Sequence, residues 1–129
     1  MKDKELEFWT TEPNRFLVAK TADGKVVGCV SNSQINLETA EMNRLSVDTE
    51  FRGLKIGQKL VEESMRLAKE DGNIVMYVTT SNTQVGAYKL YEKLGFTFLR
   101  RKGFGKFRVG EFLIDNFSGL YVCAYIKRL

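Results

Sequence analysis

Short segments in which apolar and polar residues alternate mark the first half of the chain, and this is the pattern of β-strands with one buried face. The alternation predicts strands over residues 15–20, 25–31 and 41–47. Asp23-Gly24 lies between the first two segments, and this dipeptide favours the positive backbone φ angle of a hairpin turn. The second strand is therefore predicted to be the hairpin partner of the first.

The third segment alternates along its whole length. Because successive side chains of a regular strand point to opposite faces, each face receives a predicted set of residues. One face is expected to carry Glu41, Asn43, Leu45 and Val47, and the other face Met42, Arg44 and Ser46.

Two segments show helical spacing instead. A first helix is predicted from residue 56 to about 68–71, where Asp71-Gly72-Asn73 would end it. A second helix is capped by Ser81 or Asn82 and reaches Leu94. The apolar stripe of the first helix consists of Ile56, Leu60, Val61, Ser64, Leu67 and Ala68, and that of the second consists of Ala87, Leu90, Tyr91 and Leu94.

The remaining strands complete a mixed fold. The apolar run over residues 74–80 suits a central strand buried on both faces, and further strands are predicted over 96–101 and 120–127. Three strands, a helix, a strand, a helix and two strands indicate a mixed α/β or α+β sheet with helices as crossovers. A chain of 129 residues fits one domain, residues 1–129.

Three segments lack a clear regular pattern. Residues 1–14 are polar and are expected to be frayed or to be the remnant of something longer. Residues 32–39 are expected to form a polar loop. Residues 102–119 combine four glycines with alternating aromatic residues and stay ambiguous.

The amino-acid composition limits which kinds of functional site the chain can contain. Hydrophobic residues make up 43% and charged residues 28% of the chain, which argues against intrinsic disorder. Histidine is absent and Cys29 lies far from Cys123, so we expect free thiols, no metal site and no Ser-His or Cys-His pair. The chain has neither a long apolar run nor an apolar leader, which predicts a cytoplasmic protein. The net charge of +4 favours an anionic partner without naming one.

The turn before the first helix is the clearest candidate for chemistry. Arg52-Gly53-Leu54-Lys55-Ile56-Gly57 leads directly into that helix. A helix start exposes unpaired N–H groups with partial positive charge, and glycine lets a phosphate approach them. The pattern matches neither a P-loop nor a Rossmann fingerprint. It indicates either a site for an anionic group, most simply a pyrophosphate, or only a tight strand-to-helix turn.

A second segment makes the functional interpretation of this turn more specific. Residues 87–96 read Ala-x-x-x-Tyr-x-x-x-Gly-Phe, with the tyrosine at position 91. Together with Arg52-x-x-Lys55-x-Gly57, this segment resembles the GNAT superfamily of acetyl-CoA-dependent N-acetyltransferases. Within that superfamily the chain is most similar to the N-acetyltransferase 8, or camello-like, group, on the stretches 25–28, 41–53 and 80–84.

The resemblance implies which residues would hold acetyl-CoA. Main-chain groups of Leu45 and Val47 would bind the pantetheine arm, and an N–H near Val47 would polarise the thioester carbonyl. The N–H groups of residues 52–58 would hold the pyrophosphate. Gln84 would bind the pantetheine or a water molecule, and Tyr88 would contact the cofactor or simply pack. The implied cofactor-binding residues are Leu45, Ser46, Val47, Arg52, Gly53, Leu54, Lys55, Ile56, Gly57, Gln58, Gln84 and Tyr88.

Tyr91 and Glu41 are the candidates for proton transfer. The resemblance places the acid that protonates the departing thiolate at Tyr91, since a phenol has an ordinary pKa of about 10 against about 8.5 for a thiol. The alternative is a core tyrosine on the helix's inner stripe. Glu41 lies eleven residues before Arg52, the spacing of the catalytic glutamate in histone-type members, and is the candidate base. The alternatives are an exposed glutamate at a strand end and an ordered water molecule.

The sequence departs from the family pattern in two ways. Lys55 stands where many members have glycine, and the strand and helices that usually open the fold are expected to be missing or truncated. We expect transfer to a primary amine, such as a cysteine conjugate or a protein lysine. The alternative is a catalytically poor CoA-binding module without a complete acceptor site. Camello-like proteins carry an upstream apolar segment, so a native chain that had one would be membrane-associated.

A basic run follows the second motif: Arg100, Arg101, Lys102, Lys106 and Arg108. It predicts either a solvated hairpin or a surface that attracts an acidic acceptor or the anionic cofactor. Phe104 and Phe107 lie within the run and suggest base stacking. No known nucleic-acid motif accompanies them, so no nucleic-acid partner is expected.

Overall fold

The computed structural model describes residues 7–11, 15–81, 85–103, 106–109, 112–115 and 121–129. In these ranges the chain forms β1 (Glu7–Thr11), β2 (Arg15–Lys20), β3 (Val26–Gln34), β4 (Thr39–Val47), a 3₁₀ turn (Thr49–Phe51), α1 (Ile56–Glu70), β5 (Val75–Ser81), α2 (Val85–Lys93), β6 (Thr97–Gly103), β7 (Lys106–Val109), β8 (Phe112–Asp115) and β9 (Tyr121–Arg128). The chain divides into two compact units, one ending at Tyr77 and including Arg128–Leu129, the other comprising Val78–Lys127. Neither helix in the described ranges is long and apolar enough to cross a membrane.

The first unit is a sheet with α1 packed on one face. Its strands follow the order β1-β2-β3-β4-β5, and the pairs from β1 to β4 are antiparallel. The buried amide of Asn32 on β3 donates to the Ser64 carbonyl on α1 at 2.9 Å. The core between sheet and helix contains the fully buried side chains Leu17, Val30, Met42, Ile56, Leu60 and Val61.

The close fit of α1 on β3 requires a glycine. A Cβ atom at Gly28 would lie 2.9 Å from Leu60 Cδ1 and 3.1 Å from the Ser46 carbonyl oxygen. Because one of these neighbours is backbone, a side chain at this position forces the helix or the strand to move. Gly28 therefore sets how near α1 lies to β3, the neighbour of the strand that precedes the predicted anion site.

A bulge interrupts β4. Cys29 pairs with Ser46 and Ser31 pairs with Asn43, so β4 carries one residue more than β3 between these pairs. Arg44 lies inside the bulge with a φ of 59°, the left-handed region. A bulge of this kind bends the strand and changes which side chains share a face.

The predicted alternation over residues 41–47 is therefore wrong. Antiparallel partners share a face, and Gly28 on the α1 face pairs with Val47, while Asn32 on the same face pairs with Met42. Val47 and Met42 thus share one face although they were assigned to opposite faces. The opposite face carries Ser46 together with Asn43 and Glu41.

The second unit holds α2, the last residues of β5 and the C-terminal strands. β6 pairs antiparallel with β9, and β7 pairs antiparallel with β8. Tyr91 of α2 packs against Phe96 and Tyr125, with ring centroids 5.5 Å and 6.2 Å apart, and Phe98 meets Tyr125 edge-on at 5.7 Å. Of these aromatic side chains, Tyr91, Phe96 and Tyr125 are buried, whereas Phe98 is half exposed.

Most predicted elements are confirmed within a few residues. The expectation that residues 1–14 are frayed is wrong for Glu7–Thr11, which forms β1 and pairs with β2 over its full length. Phe8, Trp9 and two threonines favour extended backbone, and an edge strand needs only one partner. The loop expected over 32–39 is shorter, since β3 extends to Gln34 and β4 begins at Thr39. The ambiguous residues 102–119 contain the β7–β8 hairpin.

Candidate functional site

The segment between β4 and α1 makes two sharp turns. The Asp48 carboxylate accepts a hydrogen bond of 3.1 Å from the Glu50 N–H and caps the 3₁₀ turn. Gly53 and Lys55 then adopt φ angles of 84° and 61°, both in the left-handed region. Glycine adopts this region freely, whereas an L-residue with a side chain loses roughly 1–2 kcal/mol there. Lys55 is therefore strained at the position where the family pattern has glycine.

The start of α1 concentrates positive charge. Lys55 is its N-cap and provides no side-chain cap, and the first turn contains no acidic residue. Lys59 makes the first intrahelical bond, 3.1 Å to the Lys55 carbonyl, so the N–H groups of Ile56 and Gly57 precede the helical ladder. Arg52 and Lys55 are exposed, and neither forms an ion pair with another described residue. Such a helix start attracts anions.

The residues predicted to bind pantetheine lie next to this segment. Leu45 is the second residue of the β4 bulge, and Ser46 and Val47 follow it and end the strand. Leu45 and Val47 are half-buried and Ser46 is exposed. The structure thus brings the last three residues of β4 and the loop 52–58 together as consecutive parts of one unit.

Glu41 lies on the same strand, before the bulge. Its carboxylate is half-buried and accepts a hydrogen bond of 3.3 Å from the Asn43 amide. No described cation pairs with it. Alternation along the sequence places Asn43 on the same face as Glu41, but it gives no signal for a hydrogen bond between the two side chains.

Tyr91 belongs to the second unit and is only 3% exposed. Burial raises the pKa of its phenol to about 12. The ring packs against Phe96 and Tyr125. The phenol therefore keeps its proton at neutral pH, which leaves it able to donate one.

The other predicted site residues are placed less fully. Tyr88 is half-buried on α2, and Arg100 is exposed on β6. Gln84 and Phe104 lie outside the described residues. The structure describes the backbone but not the side chains of the remaining members of the basic run and of the aromatic residue within it: Arg101, Lys102, Lys106, Phe107 and Arg108.

Comparison with known proteins identifies related sequences. The sequence model of the Acetyltransferase (GNAT) family matches residues 1–96. The Probable N-acetyltransferase camello of Xenopus tropicalis is 36% identical over 98 residues, which is 74% of this chain and 44% of that protein. N-acetylaspartate synthetase of Mus musculus is 32% identical over 91 residues, 70% of this chain and 30% of that protein. The chain thus spans less than half the length of these curated relatives.

Solved structures share the fold. A GNAT family acetyltransferase from Elizabethkingia anophelis, crystallised with acetyl-CoA bound, superposes with a TM-score of 0.72. Its sequence is 20% identical, and the match covers 90% of this chain and 76% of that one. The likeness supports the predicted mixed α+β fold, and the camello relative confirms the predicted resemblance.

Proposed function

The chain belongs to the acetyltransferase (GNAT) family, and from that premise we propose that it transfers the acetyl group of acetyl-CoA to a primary amine. The amine attacks the thioester directly, without a covalent enzyme intermediate. The observation that carries the proposal is the start of α1, where the family's loop motif coincides with an uncapped helix end. Two exposed cations, Arg52 and Lys55, flank that end.

The loop fits a pyrophosphate group on three counts. Gly53 has no atom within 4 Å of the place where a Cβ would stand, so a ligand can approach its backbone. The N–H groups at the start of α1 precede the helical ladder, and no carboxylate in the first turn repels an anion. In the proposal residues 52–58 hold the pyrophosphate, while Leu45, Ser46, Val47, Gln84 and Tyr88 contact the rest of acetyl-CoA. An N–H near Val47 polarises the thioester carbonyl.

The proton transfers use Glu41 and Tyr91 in the proposal. The Glu41 carboxylate takes a proton from the acceptor ammonium, directly or through a water molecule. The free amine nitrogen bonds to the acetyl carbonyl carbon, and the carbon–sulfur bond breaks. The departing thiolate receives the phenolic proton of Tyr91, whose pKa of about 12 leaves it protonated at neutral pH. The second proton, released by the acylated nitrogen as the amide forms, restores the phenol.

The acceptor is proposed as a small-molecule primary amine, such as a cysteine conjugate or another amino acid, or a protein lysine. The relative named N-acetylaspartate synthetase supports the amino-acid class, since its name describes an acetylated amino acid. The polar Glu41 face of β4 suits a charged acceptor.

The proposal is tested by measuring thiol release from acetyl-CoA with S-benzyl-L-cysteine, L-aspartate and a lysine peptide as acceptors. Tyr91→Phe and Glu41→Gln should each lower turnover by about 10²-fold or more while leaving acetyl-CoA affinity unchanged. Tyr125→Phe and the exposed Glu38→Gln are matched controls and should retain turnover. Acetyl-CoA binding without turnover of any acceptor would instead support a CoA-binding module and contradict the enzymatic proposal.

A further inference from the structure

A polar patch occupies the face of β3 and β4 that is turned away from α1. Ser31 pairs with Asn43 and Ser33 pairs with Glu41, so these four side chains share one face. Gly28 and Asn32, whose positions face α1, belong to the opposite set. The patch is built from two neighbouring strands of one unit and contains the proposed base.

A series of hydrogen bonds fixes the side chains of this patch, beginning at its buried residue and ending at its more exposed ones. The Ser31 hydroxyl, which is 7% exposed, donates to the Asn43 side-chain oxygen and lies 3.3 Å from the Asn43 carbonyl. An oxygen that accepts from Ser31 fixes the amide so that its NH₂ group points the other way. That NH₂ group donates to the Ser33 hydroxyl and to Glu41 Oε1, each at 3.3 Å.

The chain leaves one side of the Glu41 carboxylate available. Its second oxygen has no hydrogen-bond partner among the described residues. The other titratable or charged side chains of β3, β4 and the first residues of β5 are Cys29, Arg44 and Tyr77, so these described strands add no second carboxylate to the patch. The Cys29 thiol donates to the Arg44 carbonyl at 3.6 Å and holds the bulge that follows Asn43.

We propose that Asn43, oriented by the buried Ser31 hydroxyl, is a positioning residue for the Glu41 carboxylate. It holds one carboxylate oxygen so that the other faces the acceptor ammonium and takes its proton. The inference rests on the proposed function, in which Glu41 is the base. Its structural part, the contact between Asn43 and Glu41, is independent of any acceptor.

The contact is tested by carbon-13 NMR titration of the glutamate carboxyl groups, with the Glu41 signal assigned by its loss in Glu41→Gln. In Asn43→Asp a second carboxylate replaces the amide about 3.3 Å from Glu41 Oε1, and like charges at that distance couple strongly. The Glu41 titration midpoint should then rise by about one pH unit or more relative to the wild type. Gln34→Glu adds the same charge on the opposite face and should leave the midpoint in place. An unchanged midpoint in Asn43→Asp would overturn the inference.

The catalytic part is tested by kinetics with whichever acceptor of the panel is turned over. Asn43→Ala and Ser31→Ala should lower kcat by about 3- to 10-fold, the worth of one hydrogen bond, with KM for acetyl-CoA unchanged. In Asn43→Asp the acidic limb of the kcat/KM profile should move to higher pH, and the shift should vanish when Glu41→Gln is added. An unchanged kcat in Asn43→Ala would overturn the positioning role alone, whereas an unchanged kcat in Glu41→Gln would overturn the proposed base. If no acceptor is turned over, the NMR result decides the inference.

Discussion

Apart from Arg44 in the β4 bulge, Lys55 is the only described residue other than glycine with a positive φ. Its φ of 61° suits glycine, and its side chain is exposed and makes no ion pair with a described residue. Packing therefore gives no reason for a lysine here. Charge does give a reason for a lysine, because a cation and an uncapped helix start attract the same anionic group.

Lys55→Gly should consequently separate stability from binding. Relief of the left-handed strain should raise the free energy of unfolding by about 0.5–1 kcal/mol, after the extra chain entropy of glycine is counted. Loss of the ammonium should weaken acetyl-CoA binding several-fold at low salt, and the difference should shrink at high salt. Urea denaturation and titration at two ionic strengths measure the two effects. Lys59→Gly, inside α1, is the control and should destabilise by about 1 kcal/mol.

Tyr91 makes stability depend on pH at the alkaline end. Above pH 10 the unfolded chain ionises this phenol, whereas the folded protein keeps the proton until about pH 12. The unfolded state therefore binds fewer protons, and the free energy of unfolding should fall by up to about 2–3 kcal/mol across this range. Tyr91→Phe preserves the ring and should lose this part of the decline. Parallel denaturation curves for both proteins between pH 9 and pH 12 would contradict the assigned burial.

At the scale of elements, the sequence predicted the regular strands and helices but not the bulge that interrupts β4. β2 has the predicted bounds, and α1 begins at the predicted residue, because alternation and helical spacing depend on local sequence. The bulge in β4 depends on pairing with β3, which lies fifteen residues away at Cys29 and Arg44. Its consequence is large, since it moves Val47 to the α1 face and places Ser46 with Glu41.

The packing of α1 on β3 should fail when a side chain is added at position 28. Gly28→Ala introduces a methyl group 2.9 Å from Leu60 and 3.1 Å from a carbonyl oxygen, and such overpacking costs roughly 1–3 kcal/mol. Gly86→Ala is the matched control, because nothing lies within 4 Å of the added carbon on α2. The control should be neutral or stabilising, since alanine favours a helix. Thermal denaturation compares the two variants, and equal stabilities would contradict the described packing.

At the scale of the whole molecule, the sequence was sufficient for the fold class and for the strand, turn and helix on which the anion site is proposed. The helix start with Arg52 and Lys55 follows from a local motif, so it could be predicted from the sequence alone. The Ser31–Asn43 contact joins two strands through tertiary pairing, so the one-dimensional pattern did not contain it, whereas the shared face of Asn43 and Glu41 was predicted from alternation along β4. The burial of Tyr91 was predicted from its place in the apolar stripe of the second helix, whereas its raised pKa follows from burial in the folded unit, where its ring packs against Phe96 and Tyr125.

Calorimetric titration with acetyl-CoA, with ATP and NADH as controls, measures directly whether the start of α1 is an acetyl-CoA site. We expect selective binding of acetyl-CoA with a micromolar Kd, about −7 to −8 kcal/mol. Lys55→Glu, which reverses the charge at the start of α1, should weaken this binding at least tenfold. The absence of binding at millimolar acetyl-CoA, or equal binding of all three nucleotides, would contradict the account of the α1 start as an acetyl-CoA site.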